Sequence, residues 1–235
     1  TILNIYQQDL PQAKLQLAYS HNIQNLEDYI TDLLQELDKE GYPELDMVSF
    51  YSKKLQNNIL TLTNKNNKYK HKDQFKITKE FINKHSDNIF KPTDKDQEKV
   101  HKIYLWVIGQ FTYDYRILED YSNLTIEHGI TQGSTRCGGY TYITHHLLNK
   151  AGIENVIIRT PYHFWNMVKL EDKWYHLDTT IGSILTEQNK EISYEKYLVS
   201  DETMNEETVF ETWFDKNIYP SAKEDFQKGV NGYGK

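Results

Sequence analysis

Cysteine is all but missing from this chain. Cys137 is the only one in 235 residues, so no internal disulfide can form. That suits a reducing compartment, and equally a secreted protein that avoids cysteine. No apolar run is long enough to span a membrane as a helix. A broadly basic surface is missing too. The net charge is −7, which sets nucleic acid aside as the main partner, because phosphate binding needs a basic face. The local exception, Lys65 to Lys76, is mixed and Asn-rich and reads as a solvated loop or hairpin tip. There is no internal repeat and no Pro- or Gly-rich linker. The hydrophobic fraction of 38 % is low for a globular chain. Eighteen tyrosines compensate, each with a large buriable ring and a polar tip, so a folded chain is expected.

The pattern of what is present predicts an α+β protein. Leu26, Tyr29, Ile30, Leu33, Leu34 and Leu37 follow the helical period over 24–40, and Gly41 and Pro43 end it. The pieces MVSFYS and NILTLT within 46–63 read as strands, 64–74 as polar loop and 76–86 as helix. A stronger helix is predicted for 94–110. Pro92, Thr93 and Asp94 mark its start, Asp96 and Gln97 are candidate reciprocal caps, and Val100, Ile103, Tyr104, Val107, Ile108 and Phe111 form its stripe. A composition shift near residue 91 separates an N-terminal α+β region of unknown role, 1–90, from a core, 91–235. A third helix follows Cys137, with Tyr140, Ile143, Leu147, Leu148 and Ala151 on one face and Gly152 at its end. Strands are then predicted for Glu154–Thr160, His163–Leu170 and Lys173–Asp178, the last two joined as a hairpin by Glu171-Asp172. A helix on an antiparallel sheet follows.

Cys137 sits where a nucleophile would sit. It opens a helix, and the unpaired N–H groups and dipole of a first turn stabilise a thiolate. A distant histidine and aspartate complete a possible catalytic set. If Leu170 pairs with Lys173, Trp165 falls opposite Asp178 and His163 lies one diagonal step away on the same face. Asp178 could then hold one nitrogen of His163 and leave the other for Cys137. A slip of one residue would send Asp178 to the opposite face. Gly138 and Gly139 are read as bare surface for an approaching substrate backbone. The competing readings are a small buried hydrophobic cysteine and a zinc site of Cys137 with His145, His146, His163 and His176 as candidate ligands. Adjacent histidines on a helix diverge, which is poor chelating geometry.

The blocks Cys137-Gly138-Gly139-Tyr140, His163-Phe164-Trp165-Asn166-Met167-Val168 and Trp174-Tyr175-His176-Leu177-Asp178-Thr179-Thr180 resemble the transglutaminase-like superfamily, in its bacterial branch. Lys99 to Asp114, ending in Tyr113-Asp114, and the segment Tyr197 to Glu202 extend the likeness over about residues 91–205. The resemblance implies a papain-like core with Cys137 as nucleophile, His163 as general base and acid, and Asp178 as orienting carboxylate. It implies cleavage or exchange of amide bonds through a thioester. Two positions depart from the family pattern, Arg136 before the cysteine and Ile181 after the Asp-x-Thr, and both would line the acyl-donor pocket.

The function expected is therefore cysteine-dependent acyl transfer or hydrolysis on a protein or peptide. The alternative is a surface or partner-binding module with a vestigial triad. Tyr113, Tyr140, Tyr162, Trp165 and Trp174 crowd the motif blocks and are expected to wall a groove for an extended peptide. The Cys137 N–H is one candidate oxyanion donor and Gln132 the other, a solvated loop glutamine being its rival reading. No metal or cofactor is called for, and oligomeric state is left open. The chain begins at Thr1, and a secreted or cell-surface location is favoured, with any N-terminal signal absent from this chain.

Overall fold

The computed structural model describes residues 12–16, 51–56, 59–64, 71–118, 122–160, 162–206, 214 and 219–226. The chain divides into two compact units, Thr1–Lys79 and Glu80–Lys235. In the first, β1 (Gln12–Gln16), β2 (Tyr51–Gln56) and β3 (Ile59–Asn64) form an antiparallel sheet in the order β1-β3-β2. β3 falls on the expected NILTLT piece, and β2 overlaps only the end of MVSFYS. The helix expected over 24–40 lies outside the described residues. α1 (His71–Ile89) contains the division between the units. It begins inside the stretch expected to be polar loop, of which residues 65–70 lie outside the described residues. Lys, Asn and Gln are ordinary helix residues, and polarity alone does not exclude them from one.

In the second unit, Ile82, Ile89 and Phe90 are buried, and Phe81 packs on Trp106 and Phe111 with centroids 5.8 and 6.4 Å apart. α2 (Asp96–Gln110) buries Val100, Ile103, Tyr104, Val107 and Ile108, the stripe expected from the helical period. Its start differs from expectation. Lys95 is the cap residue, and its N–H donates to the Glu98 carboxylate at 3.1 Å. Asp94 instead accepts from the Lys91 N–H at 2.7 Å and pairs with Lys102 at 2.6 Å. Acidic residues crowd this turn, and spacing alone could not assign the cap among them.

β4 (Thr112–Tyr113) and β5 (Ser134–Thr135) pair in parallel. Between them lie a 3-10 turn (Ser122–Leu124) and α3 (Ile126–Gln132). α4 (Cys137–Ala151) follows, with Gly152 at φ 76° as its left-handed cap. A four-stranded antiparallel sheet comes next: β6 (Asn155–Arg159), β7 (Phe164–Leu170), β8 (Lys173–Leu177) and, after α5 (Thr179–Asn189), β9 (Tyr197–Val199), in the order β6-β7-β8-β9. α6 (Asp201–Met204) completes the described elements. The hairpin register is the expected one, with Leu170 opposite Lys173 and Asn166 opposite Leu177. Glu171 and Asp172 both have positive φ, 50° and 62°, the backbone a tight two-residue hairpin turn requires.

The sheet is covered on both faces. One face packs under α2 and α4 through Ile157, Val168, Leu170, Tyr175 and Leu177. The other joins Ile158, Trp165, Met167 and Val199 to Met204, Phe214, Tyr219 and Ala222. α4 is buried nearly all round, which makes it the central helix of the unit. The fold is α+β, with a helix packed on an antiparallel sheet. Among the described residues, no helix is long and apolar enough to cross a membrane.

The start of α4 corrects the reading of its glycines. Gly138 and Gly139 are buried, not an open surface. A Cβ on Gly138 would meet the Leu124 carbonyl, and one on Gly139 the Thr135 side chain. Both are needed so that α4 can start flush against β5 and the 3-10 turn. Gly139→Ala should therefore destabilise the protein by about 1–3 kcal/mol in urea unfolding. Gly109→Ala, where a Cβ meets nothing within 4 Å, should be neutral or stabilising by up to about 1 kcal/mol. Equal unfolding midpoints for the two variants would contradict this packing.

Candidate active site

Short parallel pairing places the thiol. Thr112 lies opposite Ser134 and Tyr113 opposite Thr135, and the Asp114 N–H donates to the Thr135 carbonyl at 2.9 Å. The Arg136 N–H then donates to the Asn123 carbonyl at 2.8 Å, and Thr135 Oγ1 to the same oxygen at 3.0 Å. Arg136 is extended (φ −95°) and sits at the cap position of α4, with no side chain capping the helix. Cys137 is thus the first helical residue, beside backbone N–H groups with no intrahelical partner. Its side chain is buried, with 5 % exposed. Tyr113, also buried, stands beside it. Burial pushes the Tyr113 phenol up, the Arg136 hydrogen bond and charge work against that, and a charge on Cys137 adds to it.

His163 is held at the mouth of β7. Its N–H donates to Thr160 Oγ1 at 2.9 Å, and its carbonyl accepts from the Thr160 N–H and hydroxyl, each at 3.0 Å. Its Nε2 lies 2.6 Å from Asp178 Oδ2, with both side chains fully buried. Asp178 is also the cap of α5: Oδ1 accepts from the Thr180 and Ile181 N–H groups, both at 2.9 Å. One carboxylate therefore starts a helix with one oxygen and orients an imidazole with the other. Cys137 also interacts electrostatically with His163. With Nε2 committed to Asp178, Nδ1 is the nitrogen left for the thiol. Burial disfavours charge on His163. The Asp178 charge and hydrogen bond outweigh it, Cys137 adds to them, and the imidazole pKa is raised above its ordinary value.

The structure brings Cys137, His163 and Asp178 together, and it scatters the expected aromatic wall. Tyr140 is fully buried. Its hydroxyl donates to the Phe111 carbonyl at 2.9 Å and lies 2.9 Å from Ser183 Oγ, so it is a core residue. Trp165 is 1 % exposed and also internal. Trp174 is half-buried and packs with the cluster on the outer sheet face. Tyr162 is exposed, as are Tyr115 and Ile117, which sequence reasoning passed over. Gln132 is exposed at the end of α3, its amide nitrogen 3.4 Å from Thr131 Oγ1. Ile181 is fully buried, so it lines no open pocket, while Arg136 is half-buried beside Tyr113. His145 and His146 have ring centroids 6.1 Å apart, and His145 Nε2 lies 2.8 Å from the Asn149 amide. Among the described residues, no group of three His, Cys, Asp or Glu side chains could hold a metal ion. A cavity of about 280 Å³ lined by residues such as Ile192, Tyr194, Tyr197 and Phe226 includes none of the three converging residues.

Two further arrangements escaped the sequence. Asp114 receives a two-pronged Arg116 guanidinium, Nε at 2.8 Å and Nη2 at 2.7 Å, with His128 Nε2 3.5 Å away. These bonds hold the Asp114 carboxyl well below the usual carboxylate range against its own burial. The second is a His176–Asp201 pair, Nε2 to Oδ1 at 2.9 Å, under the sheet. The motif blocks contained both members of this pair. Only the bend of the chain after β9 brings them together.

Residues 83–179 match the family model of the transglutaminase-like superfamily, so the resemblance carried by the motif blocks holds over this stretch. No curated protein matches the chain at a significant level. Among solved structures, the crystal structure of a transglutaminase aligns at 16 % identity and a TM-score of 0.39, over 60 % of this chain and 48 % of that one. A candidate protease from Parabacteroides distasonis aligns at 12 % identity and a TM-score of 0.33, over 54 % of this chain and 35 % of that one. The chain thus spans less than half the length of either.

Folded His163 binds its proton more tightly than the unfolded chain does. Its contribution to stability is complete below the unfolded value of 6.5 and is lost as pH rises through the raised folded value. The stability gap between the parent and His163→Gln, measured by urea unfolding from about pH 5.5 to about pH 9.5, should narrow with rising pH. A gap independent of pH would show His163 to be neutral throughout.

Proposed function

We propose that this chain is a cysteine-dependent acyltransferase or hydrolase acting on amide bonds of a protein or peptide. The observation that carries the reading is that the buried Cys137 interacts with His163, whose ring lies 2.6 Å from the buried carboxylate of Asp178. The family match, to a superfamily of transglutaminases and related enzymes, supports the same class.

In this reading the pair rests as thiolate and imidazolium, the thiol proton having passed to His163, and the Cys137 sulfur attacks the substrate carbonyl carbon. The carbonyl oxygen becomes an oxyanion facing the Cys137 N–H at the start of α4. The tetrahedral intermediate collapses, the C–N bond breaks, and the imidazolium gives its proton to the leaving amine. A thioester on Cys137 remains. A second nucleophile, a primary amine or water, gives its proton to His163 and attacks the thioester carbonyl; the C–S bond breaks, the acyl group leaves on that nucleophile, and Cys137 and His163 return to thiolate and imidazolium. The acceptor alone separates transamidation from hydrolysis. Exposed Tyr115, Ile117 and Tyr162 are apolar surface for an extended substrate.

Glutamine-containing peptides incubated with the protein, with and without a primary amine, should gain the amine or lose ammonia or be cut, as read by mass spectrometry. Cys137→Ala and His163→Ala should each lower the rate by at least about 10³-fold. A peptide left unchanged by the parent protein would leave the partner-binding reading in its place. Gln132→Ala tests the second oxyanion donor. A real donor costs about 10²-fold in turnover, and a change within about twofold would remove Gln132 from the site.

A further inference from the structure

Trp165 lies nearly flat against His163, with ring centroids 5.5 Å apart and planes 18° from parallel. The indole is itself tied down. Its Nε1–H donates to His176 Nδ1 at 2.9 Å, and His176 Nε2 lies 2.9 Å from Asp201 Oδ1. An indole nitrogen can only donate, so Nδ1 of His176 must accept, and the single ring proton must sit on Nε2, facing Asp201. His176 is fixed as one neutral tautomer and is not available as an acid. Asp201 is anchored in turn, accepting from the Ala222 N–H at 3.0 Å and from Ser221 Oγ at 3.1 Å. Phe214 closes the group edge-on, 5.8 Å from Trp165 and 5.2 Å from His176. Immediately before this segment, β9 carries a bulge opposite His176 and Leu177, with Leu198 in the left-handed region at φ 53°. A branched side chain adopts that backbone only where its surroundings enforce it.

We propose that Asp201, His176 and Trp165 form a positioning relay for His163. The second His–Asp pair is no reserve acid or base. It sets the plane of the indole, and the indole sets the tilt of the imidazole. The reason is geometric. The bond from His163 Nε2 to Asp178 fixes one direction of the ring and leaves rotation about that direction. The torsion that turns an imidazole on its Cβ is broad. A flat, immobile indole removes the remaining freedom, so that Nδ1 stays aimed at Cys137. An indole face beside an imidazolium also favours the charged ring. The groups facing His163 include Asp178, Cys137 and the Trp165 face. The inference rests on the reading of Cys137 and His163 as a working pair.

The test uses the full chain and needs no substrate. Alkylation of Cys137 by iodoacetamide is followed against pH in the parent and in His163→Ala, His176→Leu, His176→Gln and Trp165→Phe. Long-range proton–nitrogen spectra read the His176 tautomer in the parent. Glutamine can accept from the indole and donate to Asp201, while leucine can do neither. His176→Leu and Trp165→Phe should each reduce the His163-dependent, low-pH arm of alkylation by about tenfold. His176→Gln should restore it to within about threefold of the parent. His176 should stay unprotonated at Nδ1 throughout. A folded His176→Leu with a parental arm, a glutamine variant no better than leucine, or titration of His176 to imidazolium would each overturn the relay. If His176→Leu does not fold, Trp165→Phe and the tautomer decide. If the parent has no low-pH arm, or the arm survives His163→Ala, the Cys137–His163 reading itself fails. An arm that needs His163 and ignores His176 sinks the relay alone.

Discussion

The carboxylate of Asp178 is the constraint on which the rest of the site depends. It is fully buried, and a buried carboxylate is tolerable only when its oxygens are occupied. One oxygen takes the N–H groups of Thr180 and Ile181 in the first turn of α5 and the other takes His163. The backbone N–H of Asp178 is itself tied to the Lys196 carbonyl at 3.0 Å. Helix start, strand end and imidazole thus meet at one atom group. Moving any of them would leave a buried charge without partners, which costs more than most single contacts contribute.

Two rigid bodies are brought to that point. β7 and β8 carry His163 and Asp178, and their relation is set by a tight hairpin whose register allows no slip without reversing every side chain. α4 carries Cys137, and its approach is set by how closely Gly138 and Gly139 let it meet the 3-10 turn and β5. The thiol reaches the imidazole because both bodies share one core, with Ile143, Leu147 and Leu148 of α4 buried in the same cluster as Val168 and Leu177 of the sheet. A packed core transmits small displacements instead of absorbing them. The distance between thiol and imidazole therefore depends on the packing of residues well away from both.

Much of this was legible in the residues. Helical period placed α2 and α4, with Gly152 closing the latter. Glu171-Asp172 fixed a hairpin register that put His163 and Asp178 on one side. What could not be read was depth. Strand alternation reveals a buried face only when the other face is wet, and here both are covered. Trp165 was therefore taken for a groove wall although it lies inside, and Tyr140 for a substrate contact although its hydroxyl is spent on Phe111 and Ser183. Small residues misled for a related reason. Gly138 and Gly139 look like open surface in a sequence, yet what they admit is the protein's own backbone and side chains. The His176–Asp201 pair was hidden because its partners are far apart in the chain, and the Leu198 bulge between them follows no residue pattern.

The burial of so many polar groups in one place also bears on why the site is built this way. His163, His176 and Asp178 are fully buried and Asp201 nearly so, and both His–Asp pairs are hydrogen-bonded. Apolar residues of similar volume would serve stability at least as well, since a buried ion pair recovers little more than its own desolvation cost. Such a layout suits a site that must hold charge in a fixed geometry. In a dry surrounding the attraction between an imidazolium and a thiolate is stronger than in water, and no solvent has to reorient when a proton crosses between them. Two His–Asp pairs then meet one indole, one at its face and the other at its N–H edge. In the proposed reading, the pair next to Cys137 is the one that moves a proton, because its second ring nitrogen is left for the thiol. In the other it is trapped, because the second ring nitrogen faces a donor that never gives its proton up.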